Sequence, residues 1–188
     1  MIHSKCETPI DPFKILEKYY KELPIAKHIL IEHGKSIYCK CEEVNAKHLE
    51  YHINMEFIKE VAYLHDIGIF LVDSPQFGCN GKEPYIKHGI LGANILRELG
   101  LEYHARVAER HTGSGIDPTQ IVEQHLPLPT DRILLPNTIE EKLLCYADKF
   151  FSKSHLEDTL THQMIREKLQ KHGNDVIQRL DDLFKMFD

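Results

Sequence analysis

Apolar side chains recur along this chain every three or four positions, and the stretches with that spacing are parted by clusters of Pro, Gly, Asp and Ser. Phe13, Leu16, Tyr20 and Leu23 form the first stripe, with Asp11 as its cap and Pro12 in its first turn. Pro24 restarts the chain, and Ile25 to about His48 predicts a long helix with Ile29, Leu30, Ile37, Val44 and Ala46 toward the core. Gly34 lies inside that helix, where glycine costs about 1 kcal/mol against alanine, so close packing or ligand access is expected to justify it. Asn54 caps a third stripe of Phe57, Ile58, Val61, Ala62 and Leu64, which ends near His65-Asp66-Ile67-Gly68. Asp73 to Glu83 reads as a loop. Pro84 opens a helix through Leu99, stopped by Gly100, and Glu102 to His111 makes a shorter one closed by Gly113-Ser114-Gly115. A proline-rich loop covers Pro127 to Pro136. Thr138 and Glu141 then form a capping box ahead of Leu143, Leu144, Ala147, Phe150 and Phe151. His155 to Asp188 carries one or two amphipathic helices, with Leu169, Val176, Leu180, Leu183 and Phe187 as core positions. Nothing alternates at period two, and Ile67 to Val72, strand-like in composition, has no partner. The expected class is all-α, in a single domain over 1–188.

Composition narrows the setting. A chain of 188 residues can bury a full core. A formal net charge of -6 gives no general attraction to a nucleic acid polymer or an anionic membrane. Cys39 and Cys41 are too close for an easy bridge, while Cys6, Cys79 and Cys145 are scattered, which suits a reducing compartment. Met1 to Pro12 lacks the apolar core of a signal peptide, and no run approaches the roughly 20 apolar residues of a membrane span. The expected location is the cytoplasm. Histidine is the unusual count, at 13.

Position separates the histidines. His65-Asp66 sits in an apolar run, where an imidazole and a carboxylate are costly unless compensated, and a bound metal compensates both. His33 follows Ile29-Leu30-Ile31, His88 opens a helix, His111 ends one, and Asp148 lies in Leu-Leu-Cys-Tyr-Ala-Asp. Four imidazoles and two carboxylates suit iron, manganese, cobalt or zinc and suit calcium poorly. Six donors exceed one zinc with an open position and fit two metals bridged by a carboxylate. Lys149, beside Asp148, and Arg110, beside His111, are candidate substrate-binding cations. Gly34-Lys35-Ser36 resembles the end of a phosphate loop but lies in a helical context with Ile29 where its first glycine belongs. His48 and His52 suit a solvated face, and His104, two helical turns before His111, is a candidate support for the site.

The order His33, His65-Asp66, Asp148 resembles the HD-domain superfamily of metal-dependent phosphohydrolases, in its HDIG form at His65-Asp66-Ile67-Gly68. His88 and His111 resemble its two-metal subset. The segments around Lys87–Ala93, Glu109–Ile116 and Glu140–Lys149 look like an uncharacterised HDIG family best known from archaea. The likeness covers about Pro24 to Ser152, leaving 153–188 as a helical extension of an HD-domain helical bundle. It implies His33, His65, Asp66 and Asp148 around a first metal, with Asp66 bridging to a second held by His88 and His111. The cofactors implied are two divalent transition metals, iron or manganese first, with zinc, cobalt or nickel possible. The activity implied is hydrolysis of a phosphate ester or anhydride, of a nucleotide or other small phosphorylated metabolite, by metal-activated water with Asp66 orienting it. Thr112 stands where cyclic-dinucleotide-cleaving relatives carry a second histidine, which argues against that substrate. The same six residues also occur in HD-fold diiron oxygenases, the rival reading. The loops Asp73–Glu83 and Gly113–Pro136 are the expected substrate walls, and the apolar C-terminal helix offers a homodimer surface.

Overall fold

Asp11 accepts from the backbone N–H groups of Phe13 and Lys14 and starts α1 (Pro12–Tyr20), which buries Leu16 and Tyr20. The computed structural model describes residues 10–188, and Cys6 lies outside them. After the break at Pro24, α2 (Pro24–Lys47) runs for 24 residues. It buries Leu30, His33, Ile37 and Val44 as the periodicity predicts, and Cys41 in place of Ala46, which is exposed. Gly34 faces α3 (Met55–Leu64) so closely that a Cβ there would stand 2.8 Å from the Ala62 carbonyl oxygen and from the Tyr63 ring. Close packing is therefore what this glycine serves. Asn54 caps α3 by accepting from the Phe57 N–H.

A 3₁₀ turn over Ile67–Leu71 follows, rather than a strand. The loop after it holds a small antiparallel pair, β1 (Asp73–Ser74) with β2 (Cys79–Asn80). Pro84 is extended and only a 3₁₀ turn follows it, so α4 spans His88–Glu98 and His88 is its first residue. Next come α5 (Glu102–Arg110) and α6 (Pro118–Glu123). The periodicity gave no sign of α6, because Ile121 is its one buried residue and there is no stripe to read. Thr138 and Glu141 close the expected capping box of α7 (Ile139–Asp148). Beyond it the chain turns back in a hairpin, β3 (Phe151–Ser152) with β4 (His155–Thr159), where the sequence predicts helix. Its outward residues His155, Glu157, Asp158 and Thr159 show no apolar alternation. α8 (His162–Gln170) and α9 (Asn174–Phe187) complete an all-α domain with two small hairpins.

Two apolar clusters divide the interior. One joins α2, α3 and α7 to the tail through Leu180, Leu183 and Phe187, and the other joins α1, α3, α4 and α5. The apolar face of α9 thus packs Leu180, Leu183 and Phe187 against the chain's own core. His33 stands between Leu30 of one cluster and Ile37 of the other. No described helix is long and apolar enough to cross a membrane.

Candidate metal centre

All six predicted ligands are buried, and they come from five segments of the fold. His33 is midway along α2, His65-Asp66 ends α3, His88 begins α4, His111 follows α5 and Asp148 ends α7. Gly68 makes that convergence possible. A Cβ on it would fall 2.2 Å from the His88 carbonyl oxygen and 2.4 Å from the Gly92 nitrogen, so only glycine lets α4 reach the His-Asp turn.

The Asp66 carboxylate divides the donors into two groups. Its Oδ2 lies 3.0 Å from His65 Nε2 and 3.6 Å from His33 Nε2, and Asp148 Oδ1 joins them at 3.0 Å from His33 Nε2 and 3.7 Å from His65 Nε2. Its Oδ1 lies 3.3 Å from His88 Nε2 and 3.4 Å from His111 Nε2. Two triads sharing Asp66 each hold their donor atoms within 4.8 Å of one another.

The hydrogen bonds prepare the imidazoles. His65, His88 and His111 each donate Nδ1–H to the carbonyl three residues earlier, on Ala62, Tyr85 and Ala108, at 2.9, 2.7 and 2.8 Å. That pattern orients each ring and turns its Nε2 inward, as metal-bound histidines require. The Nε2 atoms of His88 and His111 then face each other at 3.0 Å. Two nitrogens each about 2.1 Å from one ion at a right angle stand ~3.0 Å apart. Asp66 Oδ1 is buried without a hydrogen-bond partner, and the closest charged contacts of Asp66 Oδ2 are to His65 Nε2 and to a lysine ammonium. A buried carboxylate oxygen left unpaired beside converging imidazole nitrogens is costly, and divalent cations satisfy that arrangement. The residues fit a two-metal site.

Charge is tuned in the same sense. Burial, then Lys153, pulls His33 down to about 4, and burial pulls His111 down to about 4, so both stay neutral. Burial also works against the His65 cation, but Asp66 and Asp148 outweigh it and push that group up to about 9. Burial opposes ionisation of Asp66 and Asp148, yet His65 beside the first and Lys149 beside the second hold both well below the usual carboxylate range.

The candidate cations separate. The Lys149 ammonium donates to Asp148 Oδ2 at 2.7 Å and to the His111 carbonyl at 3.1 Å, at the edge of the centre. Arg110 turns away, paired with Glu141 at 2.8 Å and donating to the Ile133 carbonyl. His104 also turns away, to Glu60 at 2.9 Å. Lys153, which sequence reasoning missed, brings its ammonium to 2.7 Å from Asp66 Oδ2. It is found by recognising the β3–β4 turn, which the polar stretch Ser152-Lys153-Ser154 does not advertise. A cavity of about 360 Å³ opens at this side, walled by Gln76, Phe77, Tyr85, Lys153 and Lys168. Loop 73–83 contributes Gln76 and Phe77 to this cavity. Leu135 and Pro136 of the Gly113–Pro136 stretch line a separate hollow beside Arg179.

The sequence model of the family described as HD domain matches residues 15–152. The chain belongs to the HD-domain family. An uncharacterised protein of Methanocaldococcus jannaschii is 35% identical over 138 residues, covering 70% of this chain and 73% of that one. A Thermoplasma volcanium protein named tRNA (cytidine(56)-2'-O)-methyltransferase is 32% identical over 162 residues, 85% of this chain and 42% of its own length. A Picrophilus torridus protein of the same name is 38% identical over 96 residues, 50% of this chain and 24% of its own. The chain therefore spans less than half of either methyltransferase. No solved structure gives a significant match.

Proposed function

We propose that this HD domain is a metal-dependent phosphohydrolase that cleaves a phosphate ester or anhydride of a nucleotide or other small phosphorylated metabolite. The observation that carries the reading is the split of the buried Asp66 carboxylate between two imidazole groups, beside a cavity walled by lysines. His33, His65, Asp66 and Asp148 would hold one divalent ion, and Asp66, His88 and His111 a second. Divalent ions there supply Lewis acidity toward phosphate oxygens and lower the pKa of water from 15.7 toward ~7, so no Ser or Cys nucleophile is needed. Two such ions against two carboxylates leave the centre at about +2, and Lys149 and Lys153 add to it. An anionic substrate gains roughly 4 kcal/mol per close unit-charge pair at an effective dielectric near 20.

The chain's own groups do the rest. Asp66 orients the water that attacks, Lys149 holds Asp148 in place, and the 3.0 Å approach of His88 to His111 sets the second half of the centre. The methyltransferase names belong to longer proteins, and a set of four imidazoles and two carboxylates suits metal ions better than a methyl donor.

The test is elemental analysis of aerobically and anaerobically purified protein, followed by a panel of phosphoesters and nucleotides, with a tRNA transcript included because two relatives are named for tRNA. Metal-dependent release of phosphate or nucleoside without oxygen supports the reading. Oxygen uptake by iron-loaded protein, with no hydrolysis, would support the diiron oxygenase instead.

A further inference from the structure

The three lysines around the cavity are held differently. Lys149 is tied to Asp148 and to the His111 carbonyl. Lys168, on α8, is exposed. Lys153 stands in the turn of the β3–β4 hairpin, and its long side chain runs along the cavity wall to Asp66 Oδ2, with the Tyr85 hydroxyl beside its ammonium. Asp66 Oδ2 is the oxygen that faces His33 and His65. One long side chain therefore touches both the metal centre and the cavity.

A divalent ion on His33, His65 and Asp66 claims the same carboxylate edge as the Lys153 ammonium. Like charges crowded at one buried oxygen repel, and a side chain on a surface hairpin yields more readily than an ion gripped by three groups. The cavity, with Tyr85, Gln76 and Lys168 on its walls, is where the displaced ammonium has room. We propose that Lys153 is a positioning residue that exchanges Asp66 for the anionic group of the substrate, so that metal loading releases its ammonium to bind phosphate. This rests on the phosphohydrolase reading. By linkage the exchange is reciprocal: phosphate keeps Lys153 off Asp66 and so tightens metal binding.

The experiment is titration calorimetry of the full chain with Mn²⁺, then of the Mn²⁺-loaded chain with inorganic phosphate, for wild type, Lys153→Met, Lys153→Gln and Lys153→Arg. Met and Gln are expected to bind Mn²⁺ roughly tenfold more tightly and phosphate roughly tenfold more weakly. Arg, which keeps the charge, should retain phosphate binding within about threefold. In wild type, phosphate should strengthen Mn²⁺ binding, and in Met and Gln that gain should shrink. If Lys153 were a structural ion pair, the folded variants would bind Mn²⁺ no better than wild type. That result, with circular dichroism showing both variants folded, overturns the exchange. Unchanged phosphate binding in Met and Gln overturns it as well. Wild-type protein that takes up Mn²⁺ but neither binds phosphate nor hydrolyses any phosphoester defeats the phosphohydrolase reading and the anion half together. Wild-type hydrolysis with unaltered Mn²⁺ affinity in the variants defeats this inference alone.

Discussion

The two sides of Asp66 are built to different plans. On the Oδ2 side stand His33, His65 and a second carboxylate, Asp148, with two lysine ammonium groups on the carboxylates. On the Oδ1 side stand two imidazoles, His88 and His111, each fixed by a backbone carbonyl. Half the centre is thus rich in charged side chains and open to the cavity, and half is built of imidazoles held by the backbone. The first suits an ion that must hold and polarise an anion. The second suits a borderline ion that prefers nitrogen. The shared carboxylate is what makes them one centre.

Removing the shared ligand should have the largest effect. Asp66→Ala is expected to abolish metal retention on both sides and turnover with it, measured by elemental analysis and by the phosphoester panel; full metal content in that variant would break the bridging assignment. Gly68→Ala comes next. Its Cβ has no room against the His88 carbonyl and Gly92, so α4 must shift. The expectation is a loss of about 3 kcal/mol in denaturant unfolding, with the Oδ1-side metal lost before the other. Single-ligand variants should separate the halves. His111→Ala should leave one metal per chain and Asp148→Ala should chiefly weaken the other ion, a contrast that elemental analysis of the two variants reads directly. The smallest effect is that of pH on the Oδ2 side. A proton on His65 must leave before a metal binds, and that group is pushed up to about 9, so metal affinity should rise with pH and level off above about 9. Calorimetry across that range in buffers of different ionisation enthalpy would show the released proton, and a flat affinity would contradict it.

Much of the helical frame was legible because each helix that matters is signed twice. α3 has both an Asn54 cap and an apolar stripe, and α7 has both a capping box and one. The six candidate ligands were legible for a related reason: each is a polar residue in an apolar context, a local conflict visible without knowing the fold. Lys153 carries no such sign. Its neighbours are polar, its hairpin lacks alternation, and its importance comes from a contact with Asp66, 87 positions away in sequence and made only by the tertiary structure. Arg110 shows the converse. Adjacency to His111 suggested a place in the site, but consecutive residues on a helix point in different directions, and this one points to Glu141.

Electron paramagnetic resonance of protein loaded with two Mn²⁺ per chain tests the shared carboxylate most directly. Two ions bridged by Asp66 predict a spin-coupled spectrum that reverts to an isolated-ion signal in His111→Ala. Two uncoupled ions, or saturation at one ion per chain in the wild type, would contradict the account.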